Sequence, residues 1–253
     1  MTAAFFAVDL ETTGFSPTTD EIIQIAFAVL DEDARVLEEG ACCVLPTKPV
    51  PRVAAAVNGY TPELWAARGA VPIEDFRWGL QQLWEEHALD RIPVLGQSVA
   101  FDVRFLAAEC EACPDYAQAF ARALHPHDFR DTCAIAKELD ARWGIKAPTY
   151  RLYELTQRYD VKFDNAHDAV ADLTATIEVY RRLMEYKTTG ERPPPPVKKS
   201  FIERKHGVWV FREGRWRGTS IDKADRGYLL WALAEVDLQD GERETLKAAL
   251  SRR

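Results

Sequence analysis

The chain has 253 residues, and hydrophobic and charged fractions of 47% and 28% exclude a disordered, fibrous or disulfide-framed protein. Its net charge is −8, from 40 acidic and 32 basic residues. This charge is unevenly distributed: residues 1–187 have 30 acidic and 18 basic residues, net −12, whereas the chain from Thr188 onward has 10 acidic and 14 basic residues, net +4. So acidic a body does not bind phosphates by charge alone, but its carboxylates are suited to divalent cations, which would supply the positive charge.

The first third of the sequence predicts three β-strands, at residues 4–10, 21–30 and 35–45, which short turns join into an antiparallel meander. The pattern then alternates between helices and short strands. The predicted helices are 73–87, 100–110, 132–140, 150–159 and 167–186, and the strands are 93–96 and one near 129. This order indicates an α/β fold with a mixed sheet flanked by helices.

A proline-rich stretch predicts a boundary near residue 187. Four consecutive prolines at 193–196 cannot continue a helix and favour an extended spacer. We therefore expect a first domain at 1–187, a linker at 188–200 and a small α+β module at 201–253. In that module the sequence predicts a hairpin over 208–218 that turns at Glu213-Gly214, and helices at 228–236 and 242–250.

The sequence gives no sign of export or membrane insertion. No apolar run approaches the ~20 residues that span a bilayer, and the first residues lack the basic segment and cleavage site of a signal peptide. The five cysteines are an odd number in a chain large enough to build its own core, which favours reduced thiols. These observations predict a cytoplasmic protein with no membrane partner.

Two acidic residues interrupt the first apolar strand. Asp9 and Glu11 lie two positions apart, so both side chains point to one face of the strand. Burial of two unpaired carboxylates is very costly, and a hard cation such as Mg²⁺ would remove that cost. The alternative is a strand end that emerges into solvent, where acidic residues are common.

Three more residues complete a candidate constellation. Asp102 follows an apolar run at the front of a helix, where it either joins the other acids or only interacts with the helix dipole. His167 and Asp172 are five residues apart, which places them on different faces of a regular helix. They converge only if His167 lies before the helix or in its first turn and folds back; otherwise it is a capping histidine beside a solvated Asp172.

In this order and spacing the residues resemble the DEDDh (DnaQ-like) family of 3′–5′ exonucleases, over about residues 4–186. The resemblance is carried by Asp9-Leu-Glu-Thr-Thr-Gly14, by Asp102 after Gly-x-Ser-x-x-Phe, and by His167-x-Ala-x-x-Asp172. Two segments differ from the residues that are usual in the family. Gln97-Ser98 stands where His-Asn is usual, and Asn58 stands where a His is frequent. Neither segment holds a metal ligand of the family, so substrate contacts are what these departures affect.

The resemblance implies a ribonuclease H-like, five-stranded mixed sheet with its metals at the end of the first strand. It implies that two Mg²⁺ or Mn²⁺ ions are bound by four carboxylates, those of Asp9, Glu11, Asp102 and Asp172. His167 would be the general base, because an imidazole that titrates near neutrality can take a proton from water. Such a pair of ions stabilises charge on the attacking and leaving oxygens of a phosphodiester.

The resemblance also implies the residues that contact the substrate. Thr12, Thr13 and Gly14 would present donors to the 3′-terminal nucleotide, and Phe15 would stack on a base or simply pack in the core. The expected substrate is the 3′ end of single-stranded DNA. RNA 3′ ends, a catalytically silent binding module of the same fold and a polymerase partner remain alternatives; loss of one of the five residues would mark a silent module, and none is lost.

The C-terminal module is similar to a small appendage of some bacterial DnaQ-like exonucleases. The similarity lies in Gly214-Arg-Trp-Arg-Gly218 and Tyr228-Leu-Leu-Trp231. Arg212, Arg215 and Arg217, together with Trp216, are suited to hold a nucleic acid strand by phosphate contacts and stacking. Trp209 and Trp231 are expected to form the core of so small a module.

Overall fold

The computed structural model describes residues 2–111, 129–163, 167–197, 201–205, 207–212, 215–236, 238 and 240–252. It divides into two compact units, Met1–Pro196 and Val197–Arg253. Among the helices of the described residues, none combines the length and the apolar character that a membrane span requires.

The first unit is built on a five-stranded mixed sheet of order β3-β2-β1-β4-β5. The strands are β1 Phe5–Thr12, β2 Ile22–Leu30, β3 Val36–Cys43, β4 Val94–Gly96 and β5 Phe129–Asp131. The first three form the predicted antiparallel meander, whereas β4 runs parallel to both β1 and β5. The predicted ribonuclease H-like α/β architecture is therefore confirmed, and β1 occupies the centre of the sheet.

Helices flank this sheet along the first unit. They are α1 Arg52–Asn58, α2 Pro62–Ala67, α3 Ile73–His87, α4 Ala100–Glu111, α5 Thr132–Arg142, α6 Leu152–Arg158 and α7 Ala169–Thr189. The sequence pattern did not predict α1 and α2, which have seven and six residues. So short a helix shows too few turns for an apolar period to emerge. The helix α2 is held by Trp65, which is buried and donates its Nε1–H to the carbonyl of Ile23, 2.7 Å away.

Alternate residues of β1 pack against helices on opposite faces of the sheet. One face is covered by α3 and α4, and β1 contributes to it Phe6, Val8 and Leu10. The other face is covered by α5, α6 and α7, and Ala7 packs there. Asp9 and Glu11 continue the period of Ala7, so both acids lie on the face that carries α7. The apolar cores thus place the two carboxylates beside the helix that contains Asp172.

The proline-rich stretch belongs in part to the first unit, which extends past the predicted boundary at 187 to Pro196. The helix α7 continues to Thr189 and ends at Gly190, whose φ of 68° is left-handed. Beyond it, Pro193 is buried, and Arg158 donates its Nε–H to the carbonyl of Pro194 at 2.7 Å. Of the predicted linker 188–200, residues 198–200 lie outside the described residues.

The second unit contains a two-stranded antiparallel sheet and two helices. They are β6 Ile202–Lys205, β7 Val208–Phe211, α8 Arg226–Glu235 and α9 Asp240–Ser251. The ladder of β7 is formed with the preceding segment, with Ile202 opposite Phe211. The predicted hairpin over 208–218 is seen only as isolated bridges from Val210 to Ser220 and from Phe211 to Arg217. Gly207 has a φ of 82°, which suits a tight turn between β6 and β7. The predicted turn at 213–214 lies outside the described residues.

Candidate active site

The acids of β1 are placed by the pairing of β1 with β2. Glu11 lies opposite Gln24 in the antiparallel register. Gln24 is buried, and its Oε1 accepts the backbone N–H of Ala169 at 3.4 Å. This bond holds the first residue of α7 beside the end of β1. The sequence analysis missed Gln24, although it is the single polar residue in the apolar run of β2.

Asp102 reaches the same place from the other side of the strand. It lies in the first turn of α4, its side chain is 5% exposed, and its Oδ1 accepts the backbone N–H of Leu10 at 3.1 Å. A Cβ at Gly96 would lie 2.8 Å from the side chain of Val99 and 3.1 Å from the carbonyl of Val8, so a larger residue there would force a shift where β4 approaches β1. Asp102 therefore faces the sheet and bonds to the central strand, so its role is not limited to an interaction with the helix dipole.

His167 folds back over the start of α7, as its spacing from Asp172 required. It lies before the helix in a left-handed conformation, with φ of 69°, and its backbone N–H donates to Oδ1 of Asp172 at 3.3 Å. Asp168 then caps α7 through the N–H of Val170 and pairs with Arg68 at 2.9 Å. Non-glycine residues rarely adopt positive φ and do so often at functional sites.

The side chains of three of these residues converge closely enough to share one ion. One ligand atom each of Glu11, His167 and Asp172 lies within 4.8 Å of the other two. A cavity of about 410 Å³ opens over this group. It is lined by all nine residues predicted from the sequence: Asp9, Glu11, Thr12, Thr13, Gly14, Phe15, Asp102, His167 and Asp172.

The loop after β1 forms one wall of the cavity. The hydroxyl of Thr12 donates to the carbonyl of Gly14 at 2.7 Å. Thr13 and Glu21 form two hydrogen bonds, both of 2.9 Å. The backbone N–H of Thr13 donates to the carbonyl of Glu21, and the backbone N–H of Glu21 donates to the hydroxyl oxygen of Thr13. Neither of these two bonds uses the hydroxyl proton of Thr13, which can therefore be donated to a ligand. A Cβ at Gly14 would lie 2.4 Å from the carboxylate of Asp20, so a larger residue there would displace that side chain.

Apolar side chains continue this wall toward solvent. Phe15 is 89% exposed and meets Phe101 edge to face, with ring centroids 6.4 Å apart. The alternative that Phe15 packs in the core is therefore excluded. Asn58, at the frequent His position of the family, is buried and donates its Nδ2–H to the carbonyl of Thr12 at 3.3 Å. It acts on the cavity by holding the end of β1.

The four carboxylates lie in an environment that disfavours their charged forms. Burial, and after it the nearby charges of Asp102, Asp172 and Glu11, hold the pKa of Asp9 well above its ordinary value. Burial raises the pKa of Glu11 to about 8 and that of Asp102 to about 8. Burial also raises the pKa of Asp172, although its hydrogen bond from His167 acts in the opposite direction.

The donor set fits divalent cations. Within residues 2–111, 129–163 and 167–197, no lysine or arginine forms an ion pair with any of the four acids, and Arg68 pairs with the neighbouring Asp168 instead. A cluster of carboxylate oxygens without a basic partner is the environment that Mg²⁺ and Mn²⁺ prefer. Bound cations would restore the ordinary ionised state of the acids.

Fold and site together define a ribonuclease H-like α/β domain that carries a carboxylate cluster at the end of its central strand. A family model, RNase_T, described as an exonuclease, matches residues 6–180. The chain belongs to this family of DnaQ-like 3′–5′ exonucleases.

Relatives of this domain have names from both DNA and RNA metabolism. The chain is 25% identical over 185 residues to DNA polymerase III PolC-type from Thermotoga petrophila, over 72% of this chain and 12% of that protein. It is 29% identical over 188 residues to the oligoribonuclease of Haemophilus ducreyi, over 71% of this chain and 91% of that protein. The chain therefore spans about an eighth of the polymerase and nearly all of the oligoribonuclease.

A solved structure shows the same fold with nucleic acid present. The zinc-bound complex of Escherichia coli exonuclease I with single-stranded DNA superimposes with a TM-score of 0.59 at 25% identity. The match covers 75% of this chain and 43% of that one. The fold match thus takes in three quarters of this chain and under half of the exonuclease.

Proposed function

We propose that the protein is a metal-dependent 3′–5′ exonuclease that removes nucleotides from single-stranded 3′ ends of DNA. The observation that carries the proposal is the convergence of Asp9, Glu11, Asp102 and Asp172 with His167 in one solvent-open cavity. A silent binding module would not need all five groups, and it would have no reason to keep four carboxylates in an environment that raises their pKa values.

Asp9, Glu11, Asp102 and Asp172 would hold two Mg²⁺ or Mn²⁺ ions. When bound, such ions stabilise negative charge on the attacking and leaving oxygens of a phosphodiester. The carboxylate of Asp172 is oriented for this task by the backbone N–H of His167, and that of Asp102 by the N–H of Leu10. The protein thus fixes the direction of its ligand oxygens through backbone donors.

His167 is the group suited to take the proton of the attacking water. Its side chain is exposed at the cavity, next to the carboxylates of Glu11 and Asp172. The water oxygen forms a bond to phosphorus, the bond from phosphorus to the O3′ of the preceding nucleotide breaks, and the imidazole accepts the water proton. The O3′ takes a proton from solvent, which leaves a shortened strand and a free nucleoside 5′-monophosphate.

The wall of the cavity supports single strands as substrate. Phe15 offers an open ring face, and unpaired bases stack on exposed aromatic rings. Thr12 and Thr13 lie beside it with polar groups for the terminal nucleotide. DNA is favoured by the names of the polymerase and exonuclease I relatives, whereas the oligoribonuclease supports RNA 3′ ends as the second candidate.

The proposal is tested with 5′-labelled single-stranded DNA and RNA of one sequence, in Mg²⁺, in Mn²⁺ and in EDTA. We expect a ladder that shortens from the 3′ end on DNA, that requires the metal, and that the Asp9→Asn variant does not produce. The matched control is Asp33→Asn, which removes an exposed turn carboxylate and should degrade DNA as the wild type does.

Each other outcome leads to a different conclusion. A ladder on RNA alone would replace the DNA proposal by the exoribonuclease alternative. Cleavage that survives in EDTA or in Asp9→Asn would contradict the metal-dependent reaction. A folded protein that cleaves neither strand in either metal would leave a silent binding module of this fold.

A further inference from the structure

The second unit carries an aromatic cleft that is open to solvent. Trp231, in α8, is 45% exposed and lies against Tyr228 with ring centroids 5.1 Å apart and an angle of 30° between the rings. The cleft has a volume of about 560 Å³ and is lined by Arg215, Asp225, Gly227, Tyr228 and Trp231. The prediction that Trp231 is simply core is therefore corrected: half of its ring remains available to a ligand.

An arginine is held in place on the other side of this cleft. The guanidinium of Arg215 lies 5.4 Å from the ring centre of Tyr228 and 5.8 Å from that of Trp216. Its Nη2 pairs with Oδ2 of Asp225, whose Oδ1 accepts the backbone N–H of Tyr228 at 2.7 Å. Both oxygens of Asp225 are thus engaged, and Arg215 offsets its charge. The cleft presents an aromatic wall and a fixed planar cation.

The charges of the second unit favour an anionic ligand. Arg217, Lys223 and Arg226 are exposed, and none of them forms an ion pair with another described residue. The second unit, residues 197–253, has 13 basic and 9 acidic residues, net +4, whereas residues 1–196 have 19 and 31, net −12. Most of the chain repels polyanions, so this unit is where a long polyanion gains attraction without a metal.

We propose that this cleft binds single-stranded nucleic acid, separately from the active site. A base stacks on the exposed ring of Trp231, and Arg217 and Arg226 contact the flanking phosphates. Stacking on an open ring combined with basic side chains is the general chemistry of binding to single strands. Aromatic rings with arginines and few acids also fit this ligand better than an acidic or apolar peptide, which would leave the base-sized aromatic face unused.

This second binding site goes beyond the proposed hydrolysis, and it predicts that the rate of hydrolysis depends on the length of the strand. The two units belong to one chain, so a strand held by the second unit stays at a raised local concentration near the first. Long strands should therefore have a lower KM than very short ones, with similar kcat. Both nucleotides of a dinucleotide flank the bond that is cleaved, so it offers no further nucleotide to a second site and should not benefit.

Binding is tested on the full chain in EDTA, where hydrolysis does not occur, by fluorescence anisotropy of labelled long oligo(dT) and oligo(U). We expect Trp231→Ala to weaken binding about tenfold, which is within the range for loss of one stacked base. Trp231→Phe should retain most of the affinity. Arg217→Gln should reduce the slope of log affinity against log salt by about 0.7, the value for one phosphate contact on a single strand.

Matched controls separate this site from folding and from the active site. Lys247→Gln removes an exposed lysine of α9 that pairs with Glu244 and does not line the cleft, and it should bind as the wild type. If Trp231→Ala does not fold, the test uses the double variant Arg217→Gln/Arg226→Gln, because both arginines are exposed. Asp9→Asn should bind long strands normally in EDTA, so a failure of the proposed hydrolysis leaves this result intact.

The proposal is overturned if Trp231→Ala and the double arginine variant, both folded, bind long strands as tightly as the wild type. It is also overturned if Trp231→Ala lowers hydrolysis of a dinucleotide as much as that of a long strand, because a purely structural role would do so. Equal losses on oligo(dT) and oligo(U) support stacking without sugar recognition, and a loss on one alone identifies the preferred strand.

Discussion

The backbone N–H of Leu10 donates a hydrogen bond to the carboxylate of Asp102 at 3.1 Å, across 92 residues of sequence. This bond joins the first turn of α4 to the end of the central strand. The charge of Asp102 also acts on Asp9, whose pKa it helps to raise. The position of the Asp102 carboxylate thus depends on a backbone donor that any residue except proline would supply at position 10.

Asp102→Asn should separate folding from catalysis. Asparagine keeps an oxygen that accepts the N–H of Leu10, so the folded structure should persist, but it loses the negative charge that binds a cation. We expect activity to fall by about 10²–10³-fold or more, as when one stabiliser of transition-state charge is removed, with an unchanged circular dichroism spectrum. Metal titration by calorimetry should show weaker binding; wild-type metal affinity in this variant would contradict the assignment.

The metal-free protein should lose stability as pH rises. Burial raises the pKa of Glu11 and of Asp102 to about 8, above their ordinary values of 4.5 and 3.8. Between these limits the folded state binds more protons than the unfolded state, so the free energy of unfolding decreases with increasing pH. We expect the Tm in EDTA to fall from about pH 5 to about pH 9.

Two comparisons isolate the carboxylate cluster as the cause. Glu11→Gln cannot ionise at this position, so its Tm should fall less steeply and exceed that of the wild type at the alkaline end. Mg²⁺ binds only the folded ionised cluster, so it should raise the Tm of the wild type most at high pH. Parallel pH profiles for the wild type and Glu11→Gln would remove the explanation.

Gly14→Ala should damage the substrate wall and spare the metal site. The new Cβ would lie 2.4 Å from the carboxylate of Asp20, so that carboxylate, which accepts the N–H of Ser16 in the loop after β1, must shift. We expect KM to rise with metal affinity unchanged. Gly79→Ala is the matched control, because nothing lies within 4 Å of a Cβ there and alanine in the middle of α3 should stabilise by about 0.5–1 kcal/mol. An unchanged KM in Gly14→Ala would argue against this wall as a substrate contact.

Phe15→Ala should affect binding and not stability. The side chain is 89% exposed, so the change in the free energy of unfolding should stay within about 0.5 kcal/mol. Loss of one stacked base predicts a KM increase of about tenfold, and Phe15→Tyr should restore it. Steady-state kinetics and urea denaturation check both parts, and a stable variant with wild-type KM would show that no base stacks there.

Arg158→Met should be the most destabilising of these substitutions. Arg158 and Asp140 form a buried two-bond ion pair, at 2.8 and 2.5 Å, between α6 and α5. Removal of the arginine leaves a buried unpaired carboxylate, which costs about 3–5 kcal/mol. Urea unfolding measures this loss, and the exposed pair of Arg35 and Asp33 provides the control, since Arg35→Met should cost less than about 1 kcal/mol. Equal losses would contradict the distinction between buried and exposed pairs.

Much of the fold follows from periodicity in the sequence. The alternation along β1 places Asp9 and Glu11 on one face, and the apolar residues at spacings of three and four along α7 indicate its buried side. These patterns are local, because the geometry of a strand or helix fixes which neighbours share a face. The same local pattern was less informative for β7. Its main partner is the preceding strand β6, whose Ile202 packs in the core of the second unit, and the following segment contributes only isolated bridges.

The sequence by itself identified the residues that we propose for the chemistry, since the four carboxylates, the histidine and their order are covalent facts of the chain. Tertiary structure decided that they meet. The left-handed turn at His167, the bond from Gln24 to the start of α7 and the exposure of Phe15 and Trp231 each depend on contacts between distant segments. The sign of a residue's φ angle and the exposure of its side chain are set by the free energy of the whole folded chain, which depends on contacts between distant segments. A local sequence pattern does not contain those contacts.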